Sequence, residues 1–280
     1  MKSISNIFLK KKILVYGLGK SGLSTIKFLQ NKCEIYAYDD FIKKIKSQNI
    51  KKKLINFEKI SKFKFDRIIL SPGIDINNCK LTKFLKKNKD KIYTDLDIFF
   101  SFNRNFCITI TGTNGKSTTC QLLYEVLLKQ KFDVRLAGNI GKPILSVKNI
   151  KKKTIFVIEA SSYQLEYSKL FKSNCAVILN ISPDHIERHK TIKNYVRAKF
   201  KLLKSQSKGD LAFIKKNDEL IYKELKSLNL NSKIIKINTK KKNNFFKKIK
   251  NNYFHNETNR ENLSFVYEIS KKLNLNKNLF

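Results

Sequence analysis

One stretch of the chain combines glycines, a lysine and hydroxyl side chains at a spacing that could hold a polyphosphate. Residues 109–119 read Thr-Ile-Thr-Gly-Thr-Asn-Gly-Lys-Ser-Thr-Thr. In such a loop the backbone N–H groups and the positive end of the following helix converge on one point, where a phosphate chain would bind. Lys116 would neutralise the terminal phosphates, and Ser117 or Thr118 would offer a hydroxyl to Mg²⁺. We therefore predict phosphate binding at this loop.

The loop departs from the common phosphate-loop pattern. That pattern, Gly-x4-Gly-Lys-Ser/Thr, needs its first glycine at the position that Ile110 occupies here. Gly112 and Gly115 supply the backbone freedom instead. The alternative is an ordinary loop in a lysine-rich chain. An apolar, β-branched run before the loop and an amphipathic helical pattern after it favour the phosphate site.

Polar side chains follow three further apolar segments in the second half of the chain. Glu159 ends one of them and is suited to holding Mg²⁺ directly or through water. His185 follows a Ser-Pro-Asp turn and is either a ligand of a second metal ion or a turn-stabilising residue. Because the carboxyl ends of parallel strands meet at one edge of a sheet, these groups should converge on the phosphate loop. Such convergence indicates nucleotide hydrolysis or phosphoryl transfer.

A second glycine-rich turn lies near the N-terminus. Residues 17–22 read Gly-Leu-Gly-Lys-Ser-Gly, and Asp39 closes the next apolar segment, where Rossmann folds keep a ribose-binding acid. This arrangement predicts a nucleotide or nucleotide-like ligand. A dinucleotide is the usual occupant, and a uridine diphosphate fits the same turn equally well. Alternatively, the glycines only allow close packing of a helix on a strand.

Apolar strand patterns alternate with helical patterns along the whole chain, which predicts an α/β protein with mainly parallel sheets. We place an N-terminal Rossmann-like domain at residues 1–103 and a P-loop-type mononucleotide-binding α/β domain at residues 104–280. We expect further strands at residues 91–95 and 175–181. On the first helix we expect a buried stripe of Leu23, Ile26 and Leu29.

The chain is strongly basic, with 59 Lys+Arg, 22 Asp+Glu and a formal net charge of +37. Only six of the basic residues are arginines, and the lysines are spread over nearly every segment. A dedicated nucleic-acid surface more often clusters arginines among exposed aromatic residues. We therefore expect solvated lysine-rich faces and no specific nucleic-acid partner, although bulk charge should attract polyanions at low salt.

The cysteine pattern and the apolar segments bear on the compartment. The five cysteines are widely spaced and odd in number, which is typical of reduced core residues in a cytosolic protein. Since no apolar run has the length of a membrane span or the layout of a signal peptide, we expect a soluble, cytoplasmic chain without membrane insertion.

Seven motifs, in family order, resemble the Mur ligases, and most closely the branch that adds D-glutamate to UDP-N-acetylmuramoyl-L-alanine. They are Gly-x-Gly-x-Ser-Gly, Ser-Pro-Gly-Ile, Thr-Gly-Thr-Asn-Gly-Lys-Ser-Thr, Gly-Asn-Ile-Gly, Glu-x-Ser-Ser-Tyr-Gln-Leu-Glu, Asn-Ile-Ser-Pro-Asp-His and Tyr-x-x-Ala-Lys. The resemblance runs from Gly17 to about Leu275. It implies ATP-dependent amide formation through an acyl phosphate, as a step of peptidoglycan precursor synthesis.

The resemblance also implies roles for individual residues. The UDP part of the sugar substrate would contact Lys20, Ser21, Asp39 and Gly73, and its muramoyl-alanine end would contact Asn139 and Ser161. ATP would be held by Gly112, Thr113, Asn114, Gly115, Lys116, Ser117, Thr118 and Asn259. The catalytic residues would be Lys116, Glu159, His185 and Lys199, and the groups around Mg²⁺ would be Ser117, Glu159, His185 and Lys199.

Two of these implied roles depend on the alignment with the family. Lys199 aligns with the lysine that the family carbamylates, which converts a cation into a carboxylate-like metal ligand. The family's adenine-reading asparagine, the first Asn of His-Asn-x-x-Asn, fits in two registers: Asn256, which keeps His255 before it, or Asn259, with Thr258 in the histidine's place. We favour Asn259 because its register agrees better with the helical pattern that follows.

The chain also departs from the family's pattern. The family has a third, C-terminal domain that binds D-glutamate, so we expect a truncated form that would need a separate C-terminal chain to complete the reaction. The alternative is a non-catalytic, nucleotide-binding remnant of the same family. Asp40 and Phe41 replace polar or basic residues that the family often has beside the uracil.

Overall fold

Two groups of parallel strands form two separate sheets in the computed structural model, which describes residues 6–41, 47–240, 249 and 251–276. The chain divides into two compact units. Unit 1 comprises Met1–Arg104, Pro143–Lys148 and Glu166–Phe171, and unit 2 comprises Asn105–Lys142, Asn149–Leu165 and Lys172–Phe280. The boundary between residues 103 and 104 that we placed from sequence stays a prediction.

Unit 1 contains a four-stranded parallel sheet in the order β2-β1-β3-β4. Its strands are β1 (Lys12–Tyr16), β2 (Glu34–Tyr38), β3 (Arg67–Leu70) and β4 (Ile92–Tyr93). Its helices are α1 (Lys20–Leu29), α2 (Gln48–Lys51), α3 (Phe57–Ile60), α4 (Thr82–Lys87) and α5 (Asp95–Phe102). Short 3-10 turns occupy Lys89–Lys91 and Ile144–Ser146, and the second of these packs against α1 and α5.

Unit 2 contains a six-stranded parallel sheet in the order β10-β9-β8-β5-β7-β6. Its strands are β5 (Cys107–Thr111), β6 (Val134–Gly138), β7 (Ile155–Glu159), β8 (Cys175–Ile178), β9 (Leu211–Lys215) and β10 (Lys233–Ile237). Its helices are α6 (Lys116–Lys129), α7 (Ser162–Tyr167, with its last two residues assigned to unit 1), α8 (Ile186–His189), α9 (Ile192–Lys204), α10 (Glu219–Lys226) and α11 (Glu257–Lys272). A 3-10 turn, Asn252–His255, precedes α11.

The central strands of unit 2 are buried on both faces. Every residue of β5 and β8 is buried, which fits their continuous β-branched and apolar sequence. β5 lies between β7 and β8, so the phosphate loop after β5 emerges at the middle of the sheet. The ends of β7 and β8 flank it at the same edge. The α/β fold class with parallel sheets is therefore confirmed.

Several helices begin at a side-chain cap. Thr94 and Asp97 form a reciprocal capping box at α5, while Thr191, Asp218 and Asn256 accept a backbone N–H at the starts of α9, α10 and α11. These caps fix where each helix begins.

Three expectations about individual segments were wrong. β4 is confined to Ile92–Tyr93, because Asp95 already belongs to the capped helix α5. β8 ends at Ile178, where the chain turns toward the phosphate loop. Leu23 is 37% exposed, whereas Ile26 and Leu29 are buried as expected.

The cysteines are in the reduced state that the sequence predicts. The five cysteines, all within the described residues, are free thiols, and Cys107, Cys120 and Cys175 are buried. Among the described residues, no helix is both long and apolar enough to cross a bilayer.

Candidate active site

The phosphate loop leaves β5 at Thr111 and enters α6 at Lys116. Gly115, the residue before α6, has φ +82°, a left-handed conformation that glycine adopts readily. A Cβ atom at Gly115 would lie only 2.1 Å from Oδ1 of Asn262 on α11. The loop therefore requires glycine at position 115, for its backbone conformation and for the close approach of Asn262.

Asn180, which follows β8, holds the loop from one side. Its Oδ1 accepts the backbone N–H groups of Thr113 (3.2 Å) and Asn114 (2.9 Å), and its Nδ2 donates to the Asn114 carbonyl (3.2 Å). Asn180 occurs in one of the quoted motifs, but sequence reasoning gave it no role.

The Lys116 ammonium lies over the loop. Nζ donates to the carbonyl oxygens of Gly112 (3.0 Å) and Thr113 (2.7 Å). Side chains of Ser117 and Thr118, the next two residues, lie on the first turn of α6. The ammonium is thus held by the carbonyl oxygens of the loop that precedes α6.

Glu159 contacts two other predicted site residues, Ser117 and Asn139. Its Oε2 accepts the Ser117 hydroxyl (2.7 Å), and its Oε1 accepts Nδ2 of Asn139 (2.7 Å). Only 1% of Glu159 is exposed. A Cβ at Gly138 would lie 2.3 Å from the Glu159 carbonyl oxygen, so the ends of β6 and β7 approach closely enough for Asn139 to reach the carboxylate.

Lys199 is a buried lysine at the same edge. It is 1% exposed, its Nζ donates to the Gly112 carbonyl (2.8 Å), and the ammonium lies 4.4 Å from the centre of the Tyr195 ring. Burial, and to a smaller extent the neighbouring Lys116, lowers the pKa of Lys199 to about 7, although Asp184 acts in the opposite direction. Lys116 and Lys199 thus meet at one carbonyl oxygen.

His185 lies at the start of α8 with φ +53°. Its Nε2 is 3.4 Å from Oδ2 of Asp184, and its Nδ1 is 3.8 Å from Oε1 of Glu187. Its ring packs 5.0 Å from that of Tyr163, centre to centre. The two carboxylates fit both interpretations that the sequence left open, a metal-site histidine and a histidine within a turn.

An aromatic cluster that sequence reasoning missed surrounds His189. Nε2 of His189 is 3.0 Å from the Ser162 hydroxyl, and its ring packs on those of Tyr163 (5.4 Å) and Tyr195 (5.3 Å). Burial, followed by the charge of Arg188, lowers the pKa of His189 to about 4. Tyr195 connects the cluster to the loop, because its OH lies 3.2 Å from Oγ1 of Thr113.

Ser161 and Asn259, which we predicted to contact the sugar substrate and ATP, form hydrogen bonds with residues nearby in the sequence. The backbone N–H and the hydroxyl of Ser161 both donate to Oε1 of Gln164 (3.2 Å each). The Nδ2 of Asn259 donates to the Tyr253 carbonyl (2.8 Å), and Asn256 caps the helix by accepting the Asn259 N–H (2.8 Å). The choice between Asn256 and Asn259 as adenine reader stays a prediction.

The glycine turn of unit 1 is closed by Asp39. Its Oδ2 accepts the Leu18 N–H (2.6 Å), and its Oδ1 accepts the Phe41 N–H (2.9 Å). A Cβ at Gly22 would lie 1.8 Å from the Gly17 carbonyl oxygen, so the third glycine lets α1 pack on the end of β1. Close helix–strand packing, the alternative that the sequence left open, is thus present, and it is compatible with ligand binding.

The other predicted UDP contacts lie around this turn. Lys20 and Ser21 are the first two residues of α1. The Ser71 hydroxyl donates to the Gly17 carbonyl (2.6 Å), which ties the Ser-Pro-Gly turn to the glycine turn, and a Cβ at Gly73 would have no atom within 4 Å. Asp40 accepts the Tyr16 hydroxyl at both oxygens (2.9 and 2.8 Å).

No group of three or more His, Cys, Asp or Glu residues in the described part of the chain is arranged to hold a metal ion. The groups at the loop that could bind a metal ion are instead of three different chemical types. They are the Ser117 hydroxyl, the Glu159 carboxylate and the amide of Asn139, all oxygen-bearing groups that suit Mg²⁺.

Two family models match most of the chain. The model described as "Mur ligase middle domain" matches residues 110–278, and "Mur ligase MurD-like, N-terminal domain" matches residues 11–92.

Curated relatives support the same family, and one solved structure shares the fold. The chain is 38% identical over 209 residues to a UDP-N-acetylmuramoylalanine–D-glutamate ligase of Rickettsia bellii, covering 73% of this chain and 46% of the relative. It is 39% identical over 217 residues to the protein of that name from Rickettsia felis, covering 75% and 47%. The crystal structure of a UDP-N-acetylmuramate:L-alanyl-gamma-D-glutamyl-meso-diaminopimelate ligase from Neisseria meningitides shares the fold, with a TM-score of 0.53, 15% identity, and 81% and 78% coverage. The chain spans about half the length of the curated relatives that it matches.

Proposed function

The chain belongs to the Mur ligase family, and from that premise we propose that it carries the ATP site and the UDP-sugar site of an ATP-dependent ligase that joins D-glutamate to UDP-N-acetylmuramoyl-L-alanine. D-Glutamate as the second substrate is inferred from what the curated relatives are named for.

The observation that carries the ATP assignment is the contact between Ser117 and Glu159. A hydroxyl at the first turn of α6 and a buried carboxylate at the end of β7 meet at 2.7 Å beside the phosphate loop. Buried carboxylates at such positions suit the Mg²⁺ that accompanies nucleotide phosphates. When bound, Mg²⁺ would neutralise phosphate charge, and Ser117 and Glu159 would hold it, with His185 near a second ion.

Lys116 would act on the phosphoryl group that is transferred. Its ammonium now donates to two loop carbonyls, and rotation about its side-chain bonds would bring it to the phosphates. There it would stabilise the charge on the transferring group while the alanyl carboxylate of the UDP-sugar attacks. The bond from the γ-phosphorus to the bridging oxygen breaks, and the products of this half-reaction are ADP and an acyl phosphate.

Lys199 is suited to carbamylation. A lysine with a pKa of about 7 carries a large neutral fraction near neutrality. The ammonium would first release one proton to give the neutral amine, whose nitrogen would attack CO₂ and release a second proton to water. The two steps together convert a group of charge +1 into a carbamate of charge −1. The product would reduce the repulsion between Lys199 and Lys116 and add a carboxylate-like ligand beside Gly112.

Unit 1 would hold the UDP part of the substrate. The glycine turn, stiffened by Asp39 and Ser71, presents the first turn of α1 with Lys20 and Ser21 at the carboxyl edge of its sheet. A diphosphate is the natural ligand of such a turn. Asn139 and Ser161 in unit 2 are assigned to the muramoyl-alanine end, and in the structure both make bonds that a substrate could replace.

The test uses the whole chain with ATP, Mg²⁺ and UDP-N-acetylmuramoyl-L-alanine, and hydroxylamine to trap the acyl phosphate as a hydroxamate. We expect ATP binding and hydroxamate formation by the parent chain. Lys116→Ala should lose both, and Glu159→Gln should lose hydroxamate by at least about a hundredfold. Lys129→Ala, in the last turn of the same helix, is the control and should behave as the parent.

Two outcomes would refute parts of the proposal. ATP binding that is unchanged in Lys116→Ala would remove the nucleotide assignment of the loop. ATP binding by the parent without any hydroxamate would leave only the non-catalytic, nucleotide-binding alternative.

A further inference from the structure

Exposed phenylalanines and lysines lie close together in sequence, in the segment of unit 1 that follows β2. Phe57, on α3, is 46% exposed, and Phe63, just beyond α3, is 36% exposed. Five lysines of this segment are also exposed; they are Lys51, Lys52, Lys59, Lys62 and Lys64. We call these two phenylalanines and five lysines the phenylalanine–lysine patch. Glu58 is the acidic residue between them.

The two phenyl rings rest on aromatic side chains of β2. The Phe63 ring lies 4.9 Å from that of Tyr36, and the Phe57 ring lies 6.3 Å from that of Tyr38, centre to centre. Tyr36 and Tyr38 are two residues apart on one strand, so their side chains point to the same face about 7 Å apart. Phe57 and Phe63 therefore form adjacent parts of one outer layer.

Buried residues beneath Phe57 and Phe63 hold these two rings in place. Phe63 also stacks on the buried Phe65, with ring centres 5.8 Å apart and an interplanar angle of 23°. Ile60, which lies between Phe57 and Phe63 in the sequence, is fully buried. Because each ring has one side packed, little conformational entropy remains to be lost when its other side is covered. The contacts with Tyr36 and Tyr38 of β2 therefore hold each ring with its other side exposed to solvent.

We propose that the phenylalanine–lysine patch docks the chain onto the surface of an anionic lipid bilayer. Phenyl rings carry no polar group and gain by entering the boundary between headgroups and acyl chains. Lysines around them have long apolar stems and are attracted by the negative surface potential of anionic lipids. The segment 51–64 is positively charged and would be attracted to the anionic lipid surface, and the phenyl rings would supply the apolar contact.

The side-chain types favour a bilayer over a nucleic acid. The segment 47–66 contains no arginine, the residue that pairs with phosphate through two parallel hydrogen bonds and stacks on bases. Lysine is a point charge that suits a plane of diffuse negative charge. This proposal is independent of the ligase function, because it uses none of the residues assigned to that site.

The first experiment compares two double variants of the whole chain. Phe57→Ser/Phe63→Ser removes the rings of the patch. Phe106→Ser/Phe132→Ser is the matched control, because these two phenylalanines of unit 2 are 37% and 40% exposed. Co-sedimentation at physiological salt uses vesicles of phosphatidylcholine with and without phosphatidylglycerol.

We expect the parent chain to bind only the vesicles with phosphatidylglycerol. Partitioning should fall about tenfold in the patch variant and stay unchanged in the control. Absence of binding, or an equal fall in both variants, would overturn the proposal. It would also be overturned if the patch variant lost affinity for a single-stranded oligonucleotide and kept its affinity for vesicles, which would make the patch a nucleic-acid surface.

A second measurement does not depend on removing the rings. The chain has no tryptophan, so Phe63→Trp and Phe132→Trp each introduce a single reporter. With anionic vesicles, the emission of Phe63→Trp should shift to shorter wavelength and be quenched by lipids brominated in their acyl chains. Emission that shifts in Phe132→Trp only, or in neither variant, would contradict docking through the patch.

Discussion

At the scale of single residues, a methyl group at position 115 would meet the amide of Asn262. Gly115 and Gly209 both have positive φ values, +82° and +95°, but a Cβ at Gly209 would have no atom within 4 Å. We expect Gly209→Ala to cost about 1 kcal/mol of unfolding free energy through backbone strain alone. Gly115→Ala should cost at least about 2 kcal/mol, since Asn262 is buried and must move. Urea unfolding of both variants measures the difference.

Asn262→Ala provides the control for this comparison. In the Asn262→Ala background, the cost of Gly115→Ala should fall to that of Gly209→Ala, because only the strain remains. A cost that is unchanged in this background would show that the contact with Asn262 is not the cause.

His189 should make stability depend on pH. Its folded pKa of about 4 lies below the ordinary value of 6.5, so the folded state resists protonation while the unfolded state accepts it. The contribution of neutral His189 to the free energy of unfolding is therefore complete above about pH 6.5. It is lost as the pH falls toward 4, by an amount on the order of 2 kcal/mol. Urea unfolding of the parent and of His189→Gln across this window tests the effect, and the variant should show a smaller loss. Parallel curves for the two proteins would refute it.

The sequence indicated some of these residues and not others, for a physical reason. Glu159 and Ser117 could be predicted because each stands at the end of a strand or the start of a helix, positions that converge in any parallel sheet. Asn180, Asn262 and His189 act through contacts with segments remote in sequence. Asn180 falls within a quoted motif, but the sequence around these residues does not show which remote segment each of them contacts.

At the scale of elements, Asp97 connects α5 to a segment much later in the chain. Oδ1 of the fully buried Asp97 accepts the backbone N–H groups of Lys169, Leu170 and Phe171 (2.8, 2.7 and 3.1 Å) and the hydroxyl of Ser168 (2.8 Å). Its Oδ2 accepts the Thr94 N–H (2.9 Å) in the capping box. One carboxylate thus fixes both the start of a helix and the path of a loop.

We expect Asp97→Ala to destabilise the chain by about 3–5 kcal/mol, because it leaves several buried N–H groups without an acceptor. Asp90→Ala, which removes an exposed carboxylate of the same unit, should cost less than about 0.5 kcal/mol. Denaturant unfolding measures both, and amide exchange of residues 168–171 should accelerate only in Asp97→Ala. A similar cost for the two variants would show that the bonds to Asp97 carry little stability.

The packing of α1 on β1 gives another prediction at this scale. Gly22→Ala would place a methyl group 1.8 Å from the Gly17 carbonyl oxygen, whereas Gly19→Ala would meet no atom within 4 Å. Gly22→Ala should displace the start of α1 and cost at least about 2 kcal/mol, and Gly19→Ala should cost less than about 1 kcal/mol. Thermal unfolding of the two variants decides whether the third glycine is needed for packing; equal midpoints would show that it is not.

The elements themselves were predictable where the sequence is continuous and apolar, as in β5 and β7. Boundaries were less predictable. Residues 91–95 look like one strand, yet the reciprocal bonds of Thr94 and Asp97 start a helix there, and local hydrogen bonding to a cap outweighs β propensity. Leu23 fits the apolar stripe of α1 by spacing, but the buried face of α1 consists of Gly22, Ser24, Thr25, Ile26 and Leu29.

At the scale of the whole molecule, the net charge of +37 should make stability depend on salt. Unpaired lysines repel one another in the folded chain, and added salt screens this repulsion. We expect the thermal midpoint to rise by several degrees, about 2–4 °C per kcal/mol gained, between low and physiological concentrations of NaCl. A midpoint that stays constant or falls would show that the lysine-rich faces are not mutually destabilising. Sucrose at equal osmolarity is the control for general solute effects.

The composition of unit 1 has a consequence for dissecting this protein into fragments. Two later stretches, Pro143–Lys148 and Glu166–Phe171, belong to unit 1 although they are encoded inside the second half of the chain. A fragment that stops at Arg104 would contain the Asp97 carboxylate but none of the three later amides, Lys169, Leu170 and Phe171, that it binds. Expression of that fragment should yield an incompletely folded product, and its recovery on adding a peptide of residues 166–171 would identify the missing contact. Unit 1 is therefore completed only after synthesis has passed residue 171, when Asn105–Lys142 and Asn149–Leu165 of unit 2 have already been made.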